Sequence, residues 1–234
     1  MKPESFESAA GALSAAAYGS PVVRAVNFHN TPRHREAELE RQIARLGREF
    51  SSVNEEELDA FLATGRWAKP KPGVIIAVYE GYRNGYDVLR PILERHGLVG
   101  WFFVITGFVN EPVSSQFAFA ASHDIDMETR EYDDGRYAMT WEEIRELSVR
   151  HVIASHTRTH VSLATLTAGD RESEIVGAQQ DFVRHLGRRV RSFVSLGGPE
   201  YGNDDATDRL IDLAGYQLVF SNLRVQRLRP WLGA

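Results

Sequence analysis

The stretch Val152-Ile153-Ala154-Ser155-His156-Thr157-Arg158-Thr159-His160 sets two imidazoles four residues apart directly behind an apolar run. Launched from the end of a buried strand, His156 and His160 can converge on one metal ion or one substrate atom. A solvated helix start satisfies the same spacing, and 8 histidines in 234 residues leave room for a chance pair. The convergent reading gains weight from a second motif upstream. Ala77-Val78-Tyr79-Glu80-Gly81-Tyr82 also follows an apolar run, Val74-Ile75-Ile76. Polar motifs behind successive apolar strands are expected of a parallel α/β sheet, whose ligands gather beyond the carboxyl ends of its strands.

Working outward, a first strand is expected over residues 22–28, ending in His29-Asn30-Thr31-Pro32, and helices over 35–50 and 54–67. Strands over 74–78 and 101–105 flank a helix over 86–96 that Gly97 closes. Their near-continuous apolar character marks a parallel sheet covered on both faces. Residues 109–138 break the rhythm and read as a long insertion carrying His123-Asp124-Ile125-Asp126 and the turn Asp133-Asp134-Gly135. Thr140-Trp141-Glu142-Glu143 is a capping-box start for a helix reaching residue 150. Strand 152–155, helix 169–186, strand 190–196 into Gly197-Gly198-Pro199, helix 204–214 and strand 217–220 complete the order. This is a βα repetition, read as one α/β domain over residues 1–234 with a loose lead-in at 1–21.

A composition of 43% hydrophobic and 25% charged residues is that of an ordinary globular chain long enough for one sizeable core. Cysteine is absent, so any metal must be held by histidine and carboxylate. The net charge of −5 makes no electrostatic case for nucleic acid or an anionic membrane, and the run Arg188-Arg189-Val190-Arg191 reads as a solvated face. The Ala-rich segment 9–17 is broken by Gly11 and Ser14 and preceded by Glu4 and Glu7, where a secretory leader carries positive charge. No run reaches the ~18 apolar residues of a membrane span. The expected location is the cytoplasm.

Taken in order and interval, the motifs resemble those of the polysaccharide deacetylase family, the NodB-homology or carbohydrate esterase family 4 proteins, over residues 22–232. That family carries Thr-Phe-Asp-Asp-Gly, then His-Ser/Thr-x-x-His, then Phe-x-x-Pro-x-Gly. Here the matching positions are Ala77-Val78-Tyr79-Glu80-Gly81, His156-Thr157-Arg158-Thr159-His160 and Phe193-Val194-Ser195-Leu196-Gly197-Gly198. The resemblance implies a distorted (β/α) barrel of fewer than eight strands. It also implies hydrolysis of an N-acetyl, sometimes O-acetyl, group on a sugar-containing or small amide substrate. A divalent ion, usually zinc, would be held by Glu80, His156 and His160, with Tyr79 and Glu80 at the two catalytic positions of the first motif. By position, His29 is a candidate general acid lining the mouth. Gly197 and Gly198 are candidate substrate contacts, the Gly197 N–H as an oxyanion donor.

The chain also departs from the family pattern. Tyr79 stands where the family keeps its general base, and a phenol with an ordinary pKa of about 10 accepts protons poorly near neutrality. Glu80 is one methylene longer than the usual aspartate. Leu196 and Gly197 replace the proline and aromatic residue of the third motif, and Val194 stands where many members have arginine. A late motif supplying a general-acid histidine is not seen before Ala234, so either the barrel is shortened at that end or another residue substitutes. Asp124 and Asp126, beside His123, are candidate stand-ins for the base, against the plainer reading of an exposed acidic loop. Trp67, Trp101, Trp141 and Trp231 are candidates for stacking on sugar rings, although the first three sit within or beside expected elements and read rather as core or lid packing. Two alternatives stay open: an inactive homologue that binds a glycan or protein, and a hydrolase of small cyclic amides resembling allantoinase.

Overall fold

The computed structural model describes residues 23–128 and 130–229; the lead-in at 1–21 and Trp231 lie outside them. Strand β1 (Val23–Phe28) leads through helix α1 (Glu36–Glu49), the two-residue β2 (Ser51–Ser52) and α2 (Glu55–Thr64) to β3 (Gly73–Val78). A π turn over Gly85–Leu89 and α3 (Arg90–Arg95) follow, then β4 (Gly100–Val104), α4 (Thr106–Asn110), α5 (Val113–Ser122) and α6 (Trp141–Leu147). After β5 (Val152–Ser155) come α7 (Ala168–Glu172), a π turn over Ser173–Gly177 and α8 (Ala178–Leu186). The order ends with β6 (Ser192–Phe193), α9 (Asp205–Ala214), β7 (Leu218–Phe220) and β8 (Val225–Arg227).

The sheet runs β1-β3-β4-β5-β6-β7-β8, parallel throughout except for the antiparallel β7–β8 pair. It curls into a half-barrel whose path has fewer than eight strands. The stub β2 lies off the path, covering the first two residues of β3.

Strand periodicity separates the interior from the outer layer. All six residues of β3 are buried, and alternate side chains go to opposite faces. Val74, Ile76 and Val78 pack outward with helix residues Leu39, Ile43, Leu89 and Ile92. Ile75 and Ala77 pack inward with Trp101, Phe103, Val152, Ala154 and Phe220, above Val53 and Leu58. Burial on both faces is why these strands read as unbroken apolar runs rather than as alternations.

Both capping boxes form: Asn54 accepts from the Glu57 N–H and Thr140 from that of Glu143, with each glutamate reaching back to the cap. Helix α2 stops at Thr64, earlier than the expected 67, because Gly65 takes a left-handed cap. Strand β6 is shorter than expected. The Gln179 amide takes both the N–H (2.9 Å) and the carbonyl (2.8 Å) of Val190, so a side chain occupies the bonds that a neighbouring strand would have used.

Strand β8 was not anticipated. Its hairpin turn is closed by the Ser221 hydroxyl, which accepts from Leu223 and Arg224 N–H, in a segment with no glycine or proline to announce it. The insertion opens with helices α4 and α5 and becomes irregular only from His123. Among the described residues, no helix is long and apolar enough to cross a membrane.

Candidate metal centre

The parallel register brings the ends of β3, β4 and β5 to one rim. The Tyr79 N–H reaches the Phe28 carbonyl (2.9 Å), that of His156 the Val104 carbonyl (2.9 Å), and that of Val194 the Ser155 carbonyl (3.0 Å). Glu80, the second residue past β3, has a left-handed backbone at φ 67°, and its side chain is buried. Strand β5 delivers His156. The following segment is not helical: Thr157 (φ 62°) and His160 (φ 63°) are both left-handed. The Glu174 carboxylate holds this turn, accepting from the Arg158 and Thr159 N–H groups and from the Thr159 hydroxyl at 2.6–3.0 Å. Gly107 packs against the Arg158 carbonyl so closely that a Cβ there would lie 2.4 Å from the oxygen. The imidazoles converge through this turn rather than through helical spacing.

One donor atom each from Glu80, His156 and His160 lies within 4.8 Å of the other two, and all three residues are buried. His156 Nδ1 lies 3.2 Å from the Val194 carbonyl and His160 Nδ1 2.9 Å from that of His123. A carbonyl only accepts, so each Nδ1 carries the proton and each Nε2 keeps its lone pair for a ligand. Burial, helped by the neighbouring His160, pushes His156 down to about 3, so it is neutral at physiological pH. Two imidazoles, each oriented by a carbonyl, plus one carboxylate fit a divalent cation of the zinc type.

His29 stands over Glu80, its Nδ1 at 2.9 and 3.1 Å from the two carboxylate oxygens, and this hydrogen bond raises its pKa. Tyr79 is sandwiched between His29 and Phe103, with ring centroids 5.0 Å away on either side, and stands edge-on to His156. Burial first, and the Glu80 charge second, push its phenol up to about 12.

A cavity of about 450 Å³ opens here, and its walls hold His29, Tyr79, Glu80, His156, His160, Gly197 and Gly198, all expected from the sequence. Asp124 and Asp126 line it too. Asn27, Tyr82, Ser195 and Asn222 complete the polar lining, and no motif had given them a role. Asn222 fastens the glycine turn, its N–H to the Gly198 carbonyl (3.0 Å) and its amide to that of Gly197 (2.8 Å). The described tryptophans are elsewhere. Trp101 is core and donates to the Val53 carbonyl, Trp67 donates to that of Lys71, and Trp141 stacks on His185. This is the packing expected of these three from their places within or beside the elements.

The sequence profile of the polysaccharide deacetylase family matches residues 67–219. The chain belongs to that family. Among curated proteins, none matches it in sequence. Solved structures similar to it include IcaB from Ammonifex degensii, with 22% identity, a TM-score of 0.64, and 90% of this chain and 88% of that one covered. Another is the Streptococcus pyogenes deacetylase PplD in complex with acetate, with 15% identity, a TM-score of 0.64, and 88% and 85% covered. A third is a de-N-acetylase from Aggregatibacter actinomycetemcomitans, with 16% identity, a TM-score of 0.61, and 88% and 90% covered. At these identities the likeness is one of fold. Within the family frame, the metal-ligand position of the first motif holds a buried carboxylate, whereas the base position holds an aromatic ring locked in a stack.

Proposed function

We propose that the protein is a metal-assisted hydrolase of carbon–nitrogen bonds that removes an N-acetyl group from a sugar-containing substrate. Glu80, His156 and His160 hold the cation. The observation that carries this reading is the buried set of three donor atoms within 4.8 Å, with both Nδ1 atoms engaged by carbonyls so that both Nε2 atoms are free. Family membership and the description of the similar structures as deacetylases support it. A bound divalent ion, zinc by its donor set, lowers the pKa of water and polarises an acyl carbonyl. The chain's own residues do the rest. His29 holds Glu80 in place, the Gly197 N–H donates to the developing oxyanion, and Asn222 keeps that turn in position.

The test is the metal content of protein purified without added metal, measured with acetate release from acetylated chito-oligosaccharides, for the native protein and for His156→Ala. A stoichiometric ion and acetate release, both lost in the variant, are expected. An ion without turnover favours a second reading, a homologue that binds a glycan without cleaving it. The aromatic sandwich around Tyr79 favours that reading, because it fills the base position with a ring. No ion in either protein rejects the metal site.

A further inference from the structure

Amide hydrolysis in this cavity needs a group that takes a proton from the attacking water. Tyr79 is not that group: its ring is clamped in a stack between His29 and Phe103. The Tyr82 hydroxyl is occupied, donating to the Asp126 carbonyl at 2.6 Å. His156 and His160 spend their free nitrogens on the cation site, and Glu80 is shared between that site and His29. His29 is committed through its Nδ1 to the Glu80 carboxylate, so the lining carboxylates without a partner among the described residues are Asp124 and Asp126.

Both come from the insertion, and the way it is pinned separates them. Ile125, between the two, is buried in a small cluster with Tyr82, Phe108 and Ala120, and its N–H bonds the Ala120 carbonyl (3.0 Å). The returning segment of the insertion is bonded to the first motif, with Arg83 N–H to the Tyr137 carbonyl and Met139 N–H to that of Gly81. Asp126 is gripped directly. Its carbonyl accepts from the Tyr82 hydroxyl (2.6 Å) and the Asn30 amide (3.3 Å), and Asn30 is itself held by the Asn84 amide at 2.6 Å. Tyr82 and Asn30 are the near neighbours of Glu80 and His29 in the chain, so the grip fixes Asp126 beside the Glu80–His29 pair. Asp124 sits at a left-handed turn (φ 54°), and among the described residues no hydrogen bond holds its own backbone. The Asp126 carboxylate is exposed and takes no hydrogen bond or ion pair among the described residues, which leaves it free to accept a proton.

We propose that Asp126 is the general base of this site, supplied by the insertion in place of the carboxylate that position 79 lacks. The inference rests on the hydrolase reading above. As the water oxygen bonds to the acyl carbon, one of its protons passes to Asp126 and the carbonyl π pair moves onto oxygen. The oxygen pair then re-forms the carbonyl, the C–N bond breaks, and the proton on Asp126 passes to the departing nitrogen. Amide and water become carboxylic acid and amine, and one side chain acts as base and then as acid. Two hydrogen bonds to its own carbonyl fix the backbone that carries this base, so the loop sets where the carboxylate can reach.

The experiment compares the full-length native protein with Asp126→Asn, Asp126→Ala and Asp124→Asn. Acetate release from acetylated chito-oligosaccharides is followed with and without added formate, and bound zinc is measured for each protein. Expected is a fall in kcat of about 10²- to 10⁴-fold for both Asp126 variants, with zinc content and KM unchanged. Formate, a small carboxylate, restores part of the activity to Asp126→Ala, which a merely structural role would not allow. Asp124 also lines the cavity, and Asp124→Asn is expected to lose less activity than either Asp126 variant. An Asp126→Asn protein that keeps native turnover overturns this inference and leaves the hydrolase reading standing. Loss of zinc from the Asp126 variants, or the large loss falling on Asp124→Asn, overturns it as well. A native protein that holds zinc but releases no acetate overturns both.

Discussion

The Nδ1 of His160 lies 2.9 Å from the main-chain carbonyl of His123, 37 residues earlier in the chain. The second histidine of the metal set is therefore oriented by the backbone of the insertion. The insertion thus holds the candidate ligand His160 through its main chain.

Ile125 is the anchor of that loop, and Ile125→Ala removes it. Large-to-small changes at buried aliphatic positions cost about 2–5 kcal/mol. Because the change also loosens the His123 carbonyl, zinc affinity is expected to fall about 10-fold or more, in the range for lost outer-shell partners. Competitive titration with a chelator measures it. Unchanged affinity in a destabilised protein would show that His160 does not depend on the loop.

Tyr79→Phe keeps the stacked ring and deletes only the hydroxyl. With the phenol pushed up to about 12, that hydroxyl carries no proton traffic near neutrality. Acetate release is expected to stay within about threefold of native, well short of the ~10²-fold loss that marks a missing general base. A loss of that larger size would return the catalytic role to Tyr79.

Gly198→Ala places a Cβ 2.7 Å from the Asn222 side-chain oxygen, at a position whose φ is +53°. The left-handed backbone alone costs a non-glycine residue about 1–2 kcal/mol. The turn must shift away from Asn222, and kcat is expected to drop because the Gly197 N–H moves with it. Steady-state kinetics beside thermal unfolding separates the two effects; native kcat in a destabilised variant would exclude the oxyanion role.

Two histidines give metal-free protein opposite pH dependences. His156, buried and neutral, contributes stability that is complete above its unfolded pKa of about 6.5 and is lost as the pH falls from there toward about 3. His29 is raised, by its hydrogen bond to Glu80 first, so its contribution is complete below about 6.5 and is lost as the pH rises through the raised value. Urea unfolding in the presence of chelator is expected to show the stability gap between native protein and His29→Gln shrinking as the pH rises. A gap that widens would refute the pairing with Glu80.

Much of this was legible in the chain. The runs around Val74 and Val152 marked β3 and β5, because burial on both faces demands apolar residues at consecutive positions. Asn54 with Glu57 and Thr140 with Glu143 marked two helix starts, since a capping box is satisfied within four residues. Strand β8 escaped because its turn relies on the Ser221 hydroxyl. The end of β6 escaped because its partner is the side chain of Gln179, 11 residues before Val190. The roles of Asn30, Tyr82 and Asn222 were equally hidden, since each depends on a carbonyl brought from another part of the chain.

By itself, the sequence determined which strands are buried, their order, and that Glu80, His156 and His160 lie past strand ends. These follow from periodicity, local capping and the parallel connection of successive βα units. The tertiary structure alone decided where the protons and lone pairs sit. The His160 tautomer depends on His123, the 156–160 turn on the Glu174 carboxylate, the state of His29 on Glu80, and the place of Asp126 on Tyr82 and Asn30. Each of these is a directional contact between groups far apart in the chain, and direction is fixed only when the backbone that carries both partners has folded.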